Sequence, residues 1–163
     1  MTTTHCTPLM KPDKILSKTA YSAYDKKKYR HDYFCRKTGG YLVVERERIA
    51  QSLMNKQEKA KFKREYNMCL TLAKNGYAIE YLKDKPKSYD ILLNGTPADL
   101  KKTTSHNHII HYAKKAVYRQ KADIVIFEFE KMTMKIQEKL NLVKMMKINI
   151  LYFISIENKI SVL

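Results

Sequence analysis

Two aspartates and a lysine in the segment Ser88-Tyr-Asp-Ile-Leu-Leu-Asn-Gly-Thr-Pro-Ala-Asp-Leu-Lys-Lys-Thr103 have the types and spacing that chemistry needs. Asn94-Gly95 stands between two apolar-rich runs, a strong short-range mark of a hairpin with a two-residue type I′ turn. Such a turn pairs Leu93 with Thr96, Leu92 with Pro97, Ile91 with Ala98, and Asp90 with Asp99. Directly opposed side chains have Cβ atoms about 5 Å apart, where like charges repel. Two opposed carboxylates therefore need a cation between them, a shared proton or a nearby base. Strand alternation puts Lys101 and Thr103 on the same face as Asp99.

Acid, acid and lysine in this order suit phosphodiester cleavage. That reaction needs an activated water, neutralisation of charge on phosphate, and help for the leaving oxygen. Asp90 and Asp99 holding Mg²⁺ or Mn²⁺ with waters supply the first two. Lys101 supplies electrostatic stabilisation, and Glu65 can join from a preceding helix. The plain alternative is that Asp90 only opens a strand while Asp99 pairs with Lys101 or Lys102. A metal-independent mechanism competes as well. His106 has the pKa range for acid/base work on an RNA 2′-hydroxyl, with Lys101 on the phosphate and Thr103 or Ser105 positioning. Ser105 and Thr104 also read simply as helix caps. His108 and His111 are spaced for a metal, or more commonly as a solvent-facing pair.

Those residues need elements to hold them. Residues 56–75 read as a helix, capped by Asn55 with Glu58 three residues on. Phe62, Tyr66, Cys69, Leu70 and Ala73 form its apolar stripe, with Glu65 on or beside it. Gly76 ends it. A strand over Tyr77–Leu82, the hairpin, a basic helix from Ser105 to about Lys121 and an apolar strand from Ala122 to Phe129 follow. The helix carries Lys114, Lys115 and Arg119, which with Lys102, Thr103, Ser105 and Asn107 are the candidate nucleic-acid contacts. A helix from Thr133 to Lys144 and strands over Ile148–Ile156 and Lys159–Leu163 finish the chain. Tyr41–Val44 is a further short strand. The class expected is α/β (α+β), with an αβββαβ core and a mixed sheet of about four to six strands flanked by helices. Residues 1–40 read as a basic, poorly ordered arm whose tyrosines 21, 24, 29 and 33 either stack on bases or pack down. Residues 41–163 read as one domain, with its core at 56–131 and its C-terminal helix and strands at 132–163.

The 163 residues carry 32 basic against 16 acidic side chains, a net charge of +16. The surplus is spread along the chain, which suits a polyanionic partner. Three widely spaced cysteines form neither a CxxC pair nor a disulfide framework. No apolar run approaches the roughly 18–20 residues of a membrane span. The start lacks a secretory pattern, so a cytoplasmic site of action is expected.

Glu65 on a helix, a strand, Tyr-Asp-Ile-Leu-Leu, Asp99-Leu-Lys101, a helix and a hydrophobic strand together resemble the PD-(D/E)XK nuclease core. More narrowly, Asp-Ile-Leu-Leu-Asn-Gly-x-x-Ala-Asp-Leu-Lys-Lys-Thr-x-Ser-His-Asn with Lys-Ala-Asp-Ile-Val-Ile-Phe-Glu-Phe resembles the CdiA-type C-terminal tRNA nuclease domain of contact-dependent toxins. The resemblance covers about residues 56–131. Tyr89 stands where the broad family has proline. The resemblance implies a tRNA endonuclease cutting near the acceptor end, sometimes aided by elongation factor Tu, with an acidic immunity protein as neutralising partner. A metal-dependent DNA endonuclease and a non-catalytic nucleic-acid-binding or assembly module of a mobile element are the rival expectations.

Overall fold

The computed structural model describes Lys11 and residues 13–163, and the start of the expected arm, Cys6 included, lies outside the described residues. The elements are α1(Lys14–Ala23), β1(Tyr29–Phe34), β2(Tyr41–Glu45), α2(Arg46–Ser52), α3(Lys56–Lys74), β3(Ala78–Tyr81), β4(Ile91–Leu93), β5(Thr96–Lys102), α4(Ile109–Lys114), β6(Ile124–Phe129), α5(Met134–Met145), β7(Asn149–Ile154) and β8(Ile160–Val162). A 3-10 turn at His106–His108 leads into α4, and a π-helical segment at Lys115–Arg119 continues it.

All eight strands form one mixed sheet in sequential order, so the expected four to six is an undercount. Pairs β2/β3, β5/β6 and β6/β7 are parallel, and the other four are antiparallel. Each parallel step is bridged by helical structure, as parallel neighbours require. One core fills the sheet face under α3, from Leu42, Leu72 and Ile79 to Leu100 and Ile126. A second lies under α4 and α5, from Ile109 and Phe127 to Leu140 and Ile150. Strand β6 is buried along its whole length, which explains its unbroken apolar sequence.

The poorly ordered arm is corrected over its described part. Helix α1 is capped by Asp13, whose carboxylate accepts from the Ile15 and Leu16 amides, and β1 pairs along β2. The tyrosines pack down. Tyr21 meets His31, Phe34 and Tyr41, while Tyr24 and Tyr29 donate to Glu80 at 3.3 and 2.5 Å. Aromatic contacts between α1, β1 and β2 thus replace the periodic apolar stripe whose lack suggested disorder.

Candidate active site

The hairpin has the register its turn chemistry implies. Asn94 and Gly95 adopt φ of 50° and 80°, and Leu93 faces Thr96, Leu92 faces Pro97, and Ile91 faces Ala98. Positive φ at both central positions is the type I′ signature, which asparagine and glycine tolerate best. Asn94 also ties the turn to β3, accepting from the Ala78 amide at 2.9 Å. Pro97 lacks an N–H, and pairing of β5 with β6 begins just after it, at Ala98.

One residue past the paired stretch, Asp90 and Asp99 come together. The Asp90 amide donates to the Ala98 carbonyl at 3.2 Å, and Asp90 Oδ2 accepts from the Leu100 amide at 2.9 Å. Asp99 is fully buried, and its carboxylate lies within hydrogen-bonding reach of the Asp90 carboxyl, with no N–H donor aligned on its oxygens. Lys101 Nζ lies 2.7 Å from Asp99 Oδ2, a close ion pair outside the directed geometry. Burial first, and the neighbouring Asp99 carboxylate second, push the Asp90 carboxyl up to about 8, against the opposing pull of the Leu100 amide and Lys101. The ammonium of Lys101 also donates to Gln120 Oε1 at 3.1 Å and stands 6.0 Å from the Tyr112 ring centre.

Glu65 is buried on α3, on the sheet side, as its place beside the apolar stripe implied. Its Oε2 accepts from the Tyr81 hydroxyl at 2.6 Å and lies 3.6 Å from Arg48 Nη2. Burial and the charge of Asp90 raise its pKa, while Tyr81, Lys61 and Arg48 act the other way. Lys61 pairs with Asp84 at 2.6 Å.

These groups border a cleft of about 330 Å³. Its walls are Lys61, Arg64, Glu65 and Met68 from α3, Asp90, Leu100, Lys101 and Lys102 from the hairpin, and Tyr112, Lys115 and Gln120 from the α4 region. The lining carries five cations and two acids, and three of the cations, Lys61, Lys101 and Lys102, are paired with Asp84, Asp99 and Glu128. Asp99 lies behind this lining and meets the cleft through Asp90 and Lys101. His106 does not line it; it opens the 3-10 turn, where Ser105 Oγ accepts from the Asn107 amide and Thr103 Oγ1 accepts from the Ser105 amide. Ser105 therefore caps the turn, and Thr103 holds the loop that leads into it. Thr103 is buried, Lys102 pairs with Glu128 at 2.9 Å, and Asn107, Lys114 and Arg119 are exposed outside the cleft lining. His108 and His111 flank the Tyr112 ring. Among the described residues no cluster of three or more His, Cys, Asp or Glu side chains is arranged to hold a metal.

Sequence reasoning missed Arg48, Tyr81, Lys61, Arg64, Tyr112 and Gln120. Arg48 is buried on α2 between the Phe62 and Tyr81 rings, and it donates to Tyr81 Oη at 3.2 Å and Glu58 Oε2 at 3.4 Å. Within a run of charged residues nothing local distinguishes it, because its burial depends on α2 folding back onto α3.

No protein-family model and no curated protein matches this sequence. The fold is similar to a chain of the CdiA-CT/CdiI toxin and immunity complex from Burkholderia pseudomallei. The two are 17% identical, with a TM-score of 0.54, and the match covers 68% of this chain and 89% of that one. At that identity the likeness is one of fold. Among the described residues no helix is long and apolar enough to cross a membrane.

Proposed function

We propose that this chain is a toxin-like, metal-dependent nuclease, acting on RNA and most specifically on tRNA. The observation that carries the reading is the pair Asp90 and Asp99 with Lys101 beside them, Asp90 and Lys101 lining a cleft rich in cations and Asp99 buried just behind it. Asp99 is a fully buried carboxylate beside Lys101 and Asp90, and burial and mutual repulsion disfavour the charged form of Asp90. A divalent cation offsets both penalties. With only two carboxylates to bind it, Mg²⁺ or Mn²⁺ would keep several waters, its normal habit in phosphate chemistry. Bound there, the ion would activate a water and neutralise charge on the phosphate. Lys101 is placed to stabilise the pentavalent transition state, and Arg64, Lys102 and Lys115 to hold flanking phosphates. Glu65, fixed by Tyr81 and Arg48, adds negative charge beside Asp90 and so supports cation binding. The fold likeness to a toxin and immunity complex supports a neutralising partner for this chain, and an acidic immunity protein suits its charge of +16.

The test is incubation of purified protein with total tRNA and with plasmid DNA, in Mg²⁺ or EDTA, with and without elongation factor Tu. Cleavage of tRNA in Mg²⁺, lost in EDTA and in Asp90→Asn, supports the reading. Cleavage in EDTA that survives Asp90→Asn but vanishes in His106→Ala would replace it with the histidine mechanism. Salt-sensitive binding without cleavage of either polymer would leave a binding module.

A further inference from the structure

We infer that Gln120 contacts the substrate: its amide oxygen holds Lys101, and its amide N–H groups bind a phosphate oxygen in the cleft. The inference rests on the nuclease reading and extends it to a residue on a different element from the acids.

Gln120 reaches the cleft because the helix after α4 widens. Its amide donates to the Lys115 carbonyl at 3.1 Å, five residues back, and the Ala122 amide donates to the Ala116 carbonyl at 3.0 Å, six back. Lys121 then takes φ of 59° as the chain turns into β6. A π-helical segment is rare and occurs frequently at functional sites, where it shifts which side chains face a given direction. Here the redirected side chains are Lys115 and Gln120, and both line the cleft.

The chemistry of the amide suits the position. An ammonium offers three donors, and Lys101 already meets Asp99 Oδ2 at 2.7 Å and Gln120 Oε1 at 3.1 Å. A neutral acceptor steers Lys101 without adding a further negative charge beside Asp90 and Asp99. With the Gln120 oxygen so engaged, its nitrogen carries two donors, and it donates no hydrogen bond among the described residues. A phosphate oxygen drawn to Lys101 is the ligand whose acceptors match both groups at once.

The experiment is steady-state cleavage, in Mg²⁺, of whichever substrate the wild type cuts, using Gln120→Met and Gln120→Glu, with melting temperatures confirming that each variant is folded. Methionine keeps the length and removes both polar functions; glutamate keeps the acceptor for Lys101 and removes the donors. We expect kcat/KM to fall about tenfold to a hundredfold in Gln120→Met, with most of the loss in kcat, and no recovery in Gln120→Glu. Recovery in Gln120→Glu would mean that the residue acts only through Lys101 and would overturn the phosphate contact. An unchanged Gln120→Met overturns the inference alone. A wild type that cuts nothing overturns the nuclease reading, and this inference with it.

Discussion

The side chain that departs furthest from its ordinary behaviour in the site is Asp90. Its carboxyl is pushed up from the ordinary 3.8 to about 8, because burial first and the Asp99 carboxylate second disfavour the charged form. The native state therefore binds more protons than the unfolded chain between these two values. The contribution of Asp90 to stability falls as pH rises through that window and is lost above about 8. Asp90→Asn keeps the shape and removes the titration. It should melt at a higher temperature than the wild type at pH 8.5, with the gap closing towards pH 5, in thermal scans of both proteins. Each ~1 kcal/mol appears as about 2–4 °C in a chain of this size. The same proton must leave when a cation enters, so Mg²⁺ affinity should tighten between about pH 6 and 8 with proton release. Calorimetry in two buffers of different ionisation enthalpy measures that release. A pH-independent affinity would contradict a site built on Asp90.

Among the elements, the hairpin positions the acids and the α3–β2 contact positions the helix that carries Glu65. Two glycines separate conformational from steric requirements. Gly95 has φ of 80° and open space where a Cβ would stand, so Gly95→Ala should cost only the left-handed backbone penalty of about 1 kcal/mol. A Cβ on Gly40 would stand 1.9 Å from the Ala73 carbonyl oxygen, so β2 and the end of α3 would have to separate. Gly40→Ala should lose about 3 kcal/mol, and urea midpoints should rank the two variants in that order. What was legible follows the same division. Asn94-Gly95 dictates its turn locally, so the register held as far as Ile91 and Ala98, next to the acids, and the α3 cap at Asn55, with the Glu58 amide donating at 2.8 Å, was equally local. Strand β1 was illegible because Tyr-Arg-His-Asp-Tyr-Phe has no alternation and gains its place from β2 and the tyrosines of α1. Arg48 and Gln120 were illegible for a related reason: one depends on a fold-back, the other on a π-helical widening that shifts the helical face.

For the molecule as a whole, a charge of +16 predicts salt-sensitive binding of polyanions, but the cleft makes a narrower demand. Arg64 lines the cleft, whereas Lys144 is exposed on α5 outside it. Arg64→Met should weaken nucleic-acid binding and reduce the slope of log affinity against log salt by about 0.7–0.9. Lys144→Met should leave that slope unchanged, as titrations from low to moderate salt would reveal. Equal effects would mean a diffuse charge field rather than a binding cleft. The account stands or falls on bond cleavage by the paired acids and their lysine. The most direct measurement is the single-turnover rate of phosphodiester cleavage in Mg²⁺ for the wild type, Asp99→Asn and Lys101→Met, each verified as folded. The account predicts cleavage by the wild type and a loss of at least about a hundredfold in each variant. Undiminished cleavage in either variant would contradict it.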